Sequence, residues 1–469
     1  MTSLSPYVSV NPASGETLAT FALHTDAQVE QILTSAHAAF QGEWRAMGVA
    51  GRAEIVGTTA RLMLERIEHL AQLATREMGK RLQESRDEVT ISASILAYYA
   101  AHAEQFLAPR PIASDRFDAH VEIAPLGVLL GIQPWNYPYY QLARFAAPNL
   151  VAGNTVLVKH APGVPQCALA FADLFIAAGA PKGAYTNVFL TNDQAGAVID
   201  DPRVQGVALT GSERAGMAIA SRAGANLKKS TMELGGSDAF LVLEDADMDT
   251  TVQLAILGRI GNCGQTCIGA KRFIIVGEGR ARAFVEKLDA AMGQLVAGDP
   301  MDEATNFGPL SSQAALDHIL DQIDTAVRHG ARLVRGGARI DRPGAYLEPT
   351  ILVDVARDNP AYREEFFGPA AIVLAAADED EAIAIANDSS YGLGGSVYST
   401  DAAHAARVAS RMETGMVFLN YPNISSPELP FGGIKRSGYG KELSSYGIEE
   451  FVNRKLVCSV KGTPEAMVA

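Results

Sequence analysis

"TVLVKHAPGVPQCALAFADLFIAAGAPKGAYTNVFL", residues 155–190, is the stretch of sequence that decides the fold class. It begins with the short apolar run 155–159, continues with a segment of helical spacing, and ends with the apolar run 186–190. The same alternation continues through "VQGVALTGS" (204–212) to "KSTMELGG" (229–236). Strands that alternate with helices pair in parallel and form a doubly wound sheet. The sequence therefore predicts an α/β fold.

A second series of apolar runs predicts a second α/β domain. It includes "DAFLVLEDAD" (238–247), "AKRFIIVG" (270–277) and "GMVFLNY" (415–421), with helical segments between them. Two domains also suit a chain of 469 residues. A single hydrophobic core usually stops growing at about 250–300 residues.

The segments outside these two series have other patterns. Residues 26–106 have the apolar spacing of three amphipathic helices, and "AHVEIAPLGVLLGI" (119–132) has the composition of a strand hairpin that turns at Pro125 and Gly127. The tail "FVNRKLVCSV" (451–460) has the pattern of a lone strand, which would leave its edges unpaired. We expect it to pair with the hairpin or with a neighbouring subunit.

Charge and composition limit the classes of partner. The chain carries 53 acidic and 39 basic residues, a net charge of -14, which repels nucleic acid and anionic lipid. It has no apolar stretch long enough for a membrane span and no export signal at its start. Its four cysteines do not make a disulfide framework. We therefore expect a cytoplasmic protein without nucleic acid or membrane partners.

Cys267 and Glu233 are the first candidates for chemistry. Cys267 lies in "GNCGQTCIGAKRF", between a glycine-containing turn and a strand, where a thiol can act as a nucleophile. Glu233 ends a strand and is followed by Gly235 and Gly236, a position from which a carboxylate can take a proton from a thiol or from water. A lone cysteine is more often a packed apolar residue, and a strand-end glutamate is more often paired with a cation.

Other strand ends carry polar groups of the kind that bind ligands. Asn136 in "QPWNYP" can donate to a developing oxyanion, although an ordinary turn asparagine fits the pattern as well. Lys159 ends the strand "TVLVK", and Gly211 and Ser212 precede a helix whose backbone N–H groups can bind a phosphate. No GxGxxG occurs, so the standard dinucleotide fingerprint is absent.

Seven short motifs, taken together, resemble the aldehyde dehydrogenase superfamily in order and spacing. They are "PWN", "VLVK", "LTGS", "ELGG", "GQTC", "EEFFGP" and "PFGGIKRSGYGKE", and the resemblance covers about residues 9–460. Within the superfamily the chain is most similar to bacterial succinate-semialdehyde dehydrogenases, through "KHAP", "ELGGSD" and "GAKRFI". The resemblance implies two doubly wound α/β domains with a small β oligomerisation flap, and a homodimer or homotetramer.

The resemblance implies a division of the chain into three parts. The expected parts are a cofactor-binding domain (1–112, 134–234 and the returning 437–450), a catalytic domain (235–436) and oligomerisation strands (113–133 and 451–469).

The resemblance also implies the catalytic roles. Cys267 would attack the aldehyde, and the amide of Asn136 with the backbone N–H of Cys267 would hold the oxyanion of the thiohemiacetal. Glu233 would then activate the water that hydrolyses the thioester. The implied cofactor is NAD or NADP, no metal is implied, and the implied cofactor-binding residues are Trp135, Lys159, Pro162, Gly211, Ser212, Leu234, Glu365 and Phe367.

Two departures from the family pattern bear on specificity. Semialdehyde dehydrogenases often carry one arginine eight residues after the oxyanion asparagine and another six residues before the nucleophile; here these positions are Arg144 and Gly261. Many NAD-preferring members have a glutamate where this chain has Pro162. Arg144, Thr266 and Phe431 are the implied substrate-binding residues.

The implied function is oxidation of an aldehyde, with succinate semialdehyde as the expected substrate. Another aliphatic or aromatic aldehyde is the alternative substrate. A non-catalytic binding protein on the same fold and a CoA-acylating dehydrogenase are alternatives from other classes. The presence of nucleophile, base and oxyanion donor argues against the first, and the water-activating glutamate argues against the second.

Overall fold

The structure, a computed structural model, describes residues 6–461 of the chain. Five helices cover the N-terminal region where three were expected, because glycines such as Gly42 and Gly79 end helices there; Gly79 takes a left-handed conformation with φ 80°. In chain order the helices are α1 (Asp26–Gln41), α2 (Glu43–Ala46), α3 (Gly48–Glu65), α4 (Ile67–Met78), α5 (Leu82–Leu107), α6 (Pro138–Ala152), α7 (Pro165–Ala177), α8 (Asn192–Asp200), α9 (Glu213–Ala225), α10 (Met248–Ile260), α11 (Glu278–Met292), α12 (Gln313–Arg328), α13 (Glu379–Asn387), α14 (Ala402–Ala409) and α15 (Ser444–Ile448).

The strands are short and mostly alternate with these helices. In chain order they are β1 (Tyr7–Val10), β2 (Thr17–Phe21), β3 (Arg110–Ile112), β4 (Phe117–Pro125), β5 (Val128–Gln133), β6 (Thr155–His160), β7 (Tyr185–Asn187), β8 (Val204–Thr210), β9 (Lys229–Glu233), β10 (Asp238–Val242), β11 (Ala270–Val276), β12 (Arg332–Arg335), β13 (Thr350–Val353), β14 (Ala370–Ala376), β15 (Tyr391–Gly392), β16 (Gly395–Tyr398), β17 (Phe418–Leu419), β18 (Ile434–Lys435), β19 (Gly438–Tyr439) and β20 (Val452–Val460).

Two largely parallel sheets form the centres of the molecule, which confirms the predicted α/β class. The first has the order β19-β9-β8-β5-β6-β7, and only β19 runs antiparallel in it. The second has the order β12-β13-β14-β11-β10-β16-β17, with β12 antiparallel. Helices cover their apolar faces, and a separate cluster of buried side chains packs around the second sheet. The chain passes from one sheet to the other between β9 and β10.

The expected hairpin at 119–132 is not a hairpin. Its second half, β5, pairs in parallel with β6 and β8 near the centre of the first sheet. The expectation that all of 113–133 forms oligomerisation strands is therefore wrong for Val128–Gln133. The reason is that β5, "VLLGIQ", is almost entirely apolar and almost continuously buried. This is the pattern of a strand covered on both faces.

The terminal strand β20 completes a small three-stranded sheet. It pairs antiparallel with β4 over nine residues, from Val452 opposite Pro125 to Val460 opposite Phe117, and β3 pairs with the other edge of β4. Most of β20 is exposed to solvent. Among residues 6–461, no helix is both long and apolar enough to cross a membrane.

Candidate active site

Cys267 lies in the loop between a short 3-10 turn, Gly261–Gly264, and strand β11. Within this turn Asn262 and Cys263 have left-handed backbone conformations, with φ of 53° and 52°. Such conformations are unfavourable for residues other than glycine and persist only where neighbouring contacts hold them. The loop before Cys267 is therefore a strained segment that the rest of the protein keeps in place.

The buried guanidinium of Arg259 supplies part of that restraint. It donates hydrogen bonds to the backbone carbonyl oxygens of Gly264 at 3.0 Å, Ala270 at 3.3 Å and Phe366 at 3.0 Å. The planar group with five N–H donors can join several backbone segments at once. It fixes the loop of the nucleophile against β11 and against the segment that precedes β14.

Asn136 is tied directly to the same loop. Its side-chain nitrogen donates to the carbonyl oxygen of Gln265 at 3.1 Å, and the side chain of Asn262 donates to the carbonyl oxygen of Asn136 at 2.9 Å. An amide nitrogen carries two hydrogens, so one donor of Asn136 is left for a ligand. Gln265 is two residues before Cys267, which brings the predicted oxyanion donor next to the predicted nucleophile.

Glu233 ends strand β9 as a buried carboxylate, with an exposed fraction of 2%. Neither of its side-chain oxygens has a hydrogen-bond partner within residues 6–461. Burial raises the pKa of this carboxyl well above its usual range, and the nearby Glu442 raises it further, whereas Arg144 and Lys441 lower it. Glu233 thus has the properties of a proton acceptor rather than those of a paired structural charge.

The segment between β9 and β10 lies against the loop of the nucleophile. A side chain added at Gly236 would place its Cβ 2.8 Å from the carbonyl oxygen of Cys267, closer than real Cβ atoms approach. Glycine at this position therefore allows the two segments to meet. Asn136, Glu233 and Cys267 all line one cavity of about 810 Å³.

Six of the eight predicted cofactor-binding residues line that same cavity. They are Trp135, Gly211, Ser212, Leu234, Glu365 and Phe367. The side chain of Ser212 caps helix α9 by accepting from the backbone N–H of Ala215 at 3.4 Å, so the start of α9 faces the cavity. A helix N-terminus binds phosphate, and a carboxylate such as Glu365 binds ribose hydroxyls. These donors and acceptors fit a nicotinamide dinucleotide.

Lys159 and Pro162, the other two predicted cofactor-binding residues, do not line the cavity. Lys159 lies at the carboxyl end of β6 and is 8% exposed. Burial lowers the pKa of its ammonium, and no carboxylate in the described part of the chain pairs with it. Pro162 is exposed to solvent. The Lys159 ammonium is an unpaired donor in the same sheet, at the end where ligands bind in such folds.

A second cavity, of about 450 Å³, opens on the other side of Cys267. The predicted residues Thr266 and Phe431 line it. Tyr137, Tyr140 and Ser425 contribute hydroxyl groups to its wall, and Glu84, Asp87 and Glu88 contribute carboxylates. Cys267 borders both cavities, so a molecule in either one can approach the thiol.

Arg144 does not occupy the predicted position in the substrate cavity. It is 1% exposed, lies outside the walls of both cavities, and forms an ion pair with Glu442. Its guanidinium also donates to the hydroxyl of Tyr140 at 3.2 Å. A buried guanidinium requires a paired charge, and Glu442 provides it. The prediction that Arg144 binds substrate directly is therefore wrong.

Four residues that the sequence analysis did not name contribute to the site. Glu442 lies close enough to Glu233 to shift its pKa, Lys271 donates to the backbone of the nucleophile loop, and the hydroxyl groups of Tyr140 and Ser425 are 2.6 Å apart. Lys271 lies within the quoted "GAKRFI", but its contacts follow only from the folded loop. Glu442 lies in the quoted "PFGGIKRSGYGKE", but nothing in the sequence indicates that it pairs with Arg144.

Comparisons with known proteins agree with this geometry. The model of the aldehyde dehydrogenase family matches residues 2–457. A succinate-semialdehyde dehydrogenase [NADP(+)] of Deinococcus radiodurans is 52% identical over 452 residues, which cover 96% of this chain and 94% of that protein.

Two solved structures have nearly the same fold. The crystal structure of succinic semialdehyde dehydrogenase from Streptococcus pyogenes in complex with NADP+ has a TM-score of 0.95 at 44% identity, and the match covers 96% of this chain and 99% of the other. An NAD-dependent aldehyde dehydrogenase from Sinorhizobium meliloti has a TM-score of 0.95 at 33% identity, and the match covers 99% of this chain and 93% of the other. The chain belongs to the aldehyde dehydrogenase family.

Proposed function

We propose that this aldehyde dehydrogenase oxidises succinate semialdehyde to succinate with NADP+ as the electron acceptor. The observation that carries the proposal is the position of Cys267 between a cavity suited to a dinucleotide and a second cavity suited to a small aldehyde. Relatives whose names specify this substrate and this cofactor, up to 52% identical, support the choice.

In the proposed reaction Cys267 is the nucleophile. Burial raises the pKa of its thiol to about 11, so the thiol is protonated at neutral pH and must lose its proton to a base. Attack on the aldehyde carbon places negative charge on the carbonyl oxygen. The free N–H of Asn136 and the backbone N–H of Cys267 stabilise this oxyanion. A bound nicotinamide dinucleotide supplies the two-electron acceptor that converts the thiohemiacetal into a thioester.

Glu233 then serves as the base in hydrolysis of the thioester. Its carboxylate lines the same cavity as Cys267 and has no partner within the described residues that would hold its oxygens. A raised pKa makes an ionised Glu233 a stronger base toward water. Water that has lost a proton to Glu233 attacks the thioester carbon and releases the acid and the Cys267 thiol.

For the cofactor, we propose that Ser212 and the start of α9 bind the pyrophosphate and that Glu365 and Lys159 bind the ribose hydroxyl groups. A 2'-phosphate on the adenosine ribose would meet the Lys159 ammonium, and position 162 carries proline rather than an acidic side chain. This charge pattern favours NADP+ over NAD+.

For the substrate, we propose that hydroxyl groups rather than a direct cation bind the remote carboxylate. Tyr140 accepts from Arg144 at 3.2 Å, and its hydroxyl lies 2.6 Å from that of Ser425, which lines the second cavity. Tyr140 can then donate to Ser425, which leaves the hydroxyl hydrogen of Ser425 for a substrate anion, and the buried charge of Arg144 polarises this chain of hydrogen bonds. Arg144 acts through Tyr140 in this arrangement.

An uncharged aldehyde is the second candidate substrate. No lysine or arginine occurs among the described residues that line the second cavity, and Glu84 and Asp87 place negative charge there. Ser425→Ala distinguishes the two substrates. We expect kcat/KM for succinate semialdehyde to fall about tenfold, since a charge-assisted hydrogen bond contributes about 1.5 kcal/mol or more, while butanal changes little. An equal effect on both aldehydes would favour the uncharged substrate.

For the architecture, we propose that the first sheet carries the cofactor and the second carries the nucleophile. We further propose that the sheet of β3, β4 and β20 joins copies of the chain in a homo-oligomer. Most of β20 is exposed, including the apolar side chains of Leu456 and Val460. Such an edge strand is a ready surface for pairing with another chain.

The direct test of the function is a panel of aldehydes assayed with NADP+ and with NAD+, using wild type and Cys267→Ala. We expect wild type to prefer succinate semialdehyde with NADP+ and the variant to have no measurable oxidation while it still binds cofactor. Cys458→Ala, at an exposed cysteine on β20, is the matched control and should retain wild-type rates. A dependence on CoA, or activity in Cys267→Ala, would contradict the proposal.

A further inference from the structure

Lys271, at the start of β11, is a buried lysine next to the nucleophile loop, with a side chain that is 1% exposed. Its ammonium donates to the carbonyl oxygen of Thr266 at 2.9 Å and to that of Cys267 at 2.6 Å. It lies 3.0 Å from a carboxylate oxygen of Glu365. An ammonium has three N–H donors, and these three acceptors account for all of them.

Glu365 links Lys271 to the segment between β9 and β10. The oxygen that pairs with Lys271 also accepts from the backbone N–H of Gly236 at 3.1 Å. Gly236 is three residues after Glu233, at the point where the chain leaves the first sheet. One carboxylate thus joins the segment that carries the base to the lysine that holds the nucleophile loop.

We propose that Lys271 is a positioning residue that couples the cofactor carboxylate Glu365 to the nucleophile loop and places a positive charge beside the Cys267 thiol. The proposal deepens the proposed function, because it takes Cys267 as the nucleophile and Glu365 as a cofactor-binding residue. It does not require a particular aldehyde.

The charges around Cys267 determine the sign of the expected effect. Arg144 from α6 and Lys271 from β11 favour the thiolate, whereas Glu365 from the segment before β14 and Asp238 from β10 oppose it. Glu233 from β9 lines the same cavity, and the Tyr137 hydroxyl, next to Thr266, is also close enough to interact with the thiol. Removing Lys271 leaves Arg144 as the cation that favours the thiolate in this set.

The test measures alkylation of Cys267 by iodoacetamide as a function of pH, without cofactor or aldehyde. It compares Lys271→Met with wild type in a Cys458→Ser background, and peptide mass spectrometry locates the label. We expect the midpoint of the pH profile to rise by about one unit, which slows alkylation about tenfold below the midpoint. Lys287→Met, at an exposed lysine paired with Asp249, is the matched control and should leave the profile unchanged.

Glu365→Gln provides a second variant with the opposite expected sign. It keeps the size of the side chain and removes a negative charge that opposes the thiolate, so the midpoint should move to lower pH. A merely structural disturbance of the loop would not move the two profiles in opposite directions. Thermal unfolding of both variants shows whether each one is folded.

Cofactor binding provides a separate measurement of the link between Lys271 and Glu365. Titration of NADP+ without substrate should show weaker binding to Lys271→Met than to Lys287→Met, because Glu365 loses one of its two fixed partners. Coincident alkylation profiles for wild type, Lys271→Met and Glu365→Gln would overturn the proposal. That result is distinguishable from failure of the proposed function, which would appear as oxidation by Cys267→Ala.

Discussion

Two buried carboxylates on the walls of the site, Glu88 and Glu233, have opposite surroundings. Each is 2% exposed. Glu88 forms an ion pair with the buried Lys80 and accepts from the backbone N–H groups of Tyr139 at 2.7 Å and Tyr140 at 3.2 Å. Glu233 has no partner for either oxygen within residues 6–461. Burial alone therefore does not distinguish a carboxylate held by partners from one whose oxygens are free, whereas the partners do.

The partners of Glu88 have a structural purpose that is readable from the fold. Two of them, the N–H groups of Tyr139 and Tyr140, lie in the first turn of helix α6, which begins two residues after Asn136, and the first N–H groups of a helix lack partners of their own. A negative charge at that end of a helix is stabilising. Glu88 thereby fixes the helix that follows Asn136, whereas no described residue fixes the oxygens of Glu233.

The largest expected effect that tests this difference is on stability. Glu88→Gln leaves the Lys80 ammonium buried without a charged partner, and we expect the free energy of unfolding to fall by about 3–5 kcal/mol. The measurement is denaturation by guanidinium at neutral pH. Glu68→Gln, which removes an exposed carboxylate from its pair with Arg86, is the control and should cost less than about 1 kcal/mol. Equal losses would contradict the comparison.

The second effect is the pH dependence of stability in Glu233→Gln. The pKa of Glu233 is higher in the folded protein than in the unfolded chain, so its contribution to stability is fully present below the unfolded pKa and is lost as pH rises through the folded pKa. Glutamine does not titrate. Relative to wild type, the variant should therefore gain stability as pH rises above the unfolded pKa of a glutamate, about 4.

Unfolding midpoints at a series of pH values check this sign. A difference between wild type and Glu233→Gln that stays constant with pH would mean that Glu233 is not perturbed by burial. Glu88→Gln, measured in parallel, should remain less stable than wild type at neutral pH.

A smaller effect concerns Glu442, which is paired with Arg144 and lies close to Glu233. Its carboxylate raises the pKa of Glu233, and its own ion pair occupies the Arg144 guanidinium. Glu442→Gln removes the negative charge beside Glu233. It also breaks the ion pair of Arg144, whose positive charge then acts on Glu233 without compensation. Both changes should lower the pKa of Glu233. We expect the acid limb of kcat against pH to move to lower pH. If the acid limb moved to higher pH instead, it would report the titration of a group other than Glu233.

Short contiguous motifs were sufficient to select the candidate residues of the site. Cys267, Glu233 and Asn136 are predicted from such motifs, and the structure brings all three to one cavity. The alternation of strands and helices was sufficient for the α/β class. These features depend on local pattern, which a single chain displays directly.

The parts that sequence analysis missed depend on contacts between distant segments. Arg144 is predicted to bind a substrate carboxylate, but in the structure it forms an ion pair with Glu442, from the C-terminal part of the chain. Strand β5 was assigned to a hairpin because a strand covered on both faces looks like any short apolar run. Lys271 was quoted within a motif, yet its three acceptors come together only when the nucleophile loop folds over β11.

We propose that Cys267 forms the thioester and that Glu233 activates the water that cleaves it. Rapid-mixing kinetics of Glu233→Gln with saturating succinate semialdehyde and NADP+ test it most directly, because NADPH forms before hydrolysis. We expect a burst of about one NADPH per active site, followed by turnover slowed about a hundredfold or more, since loss of a general base costs that much. A first turnover as slow as the later ones, without a burst, would contradict the account and assign Glu233 to activation of the thiol.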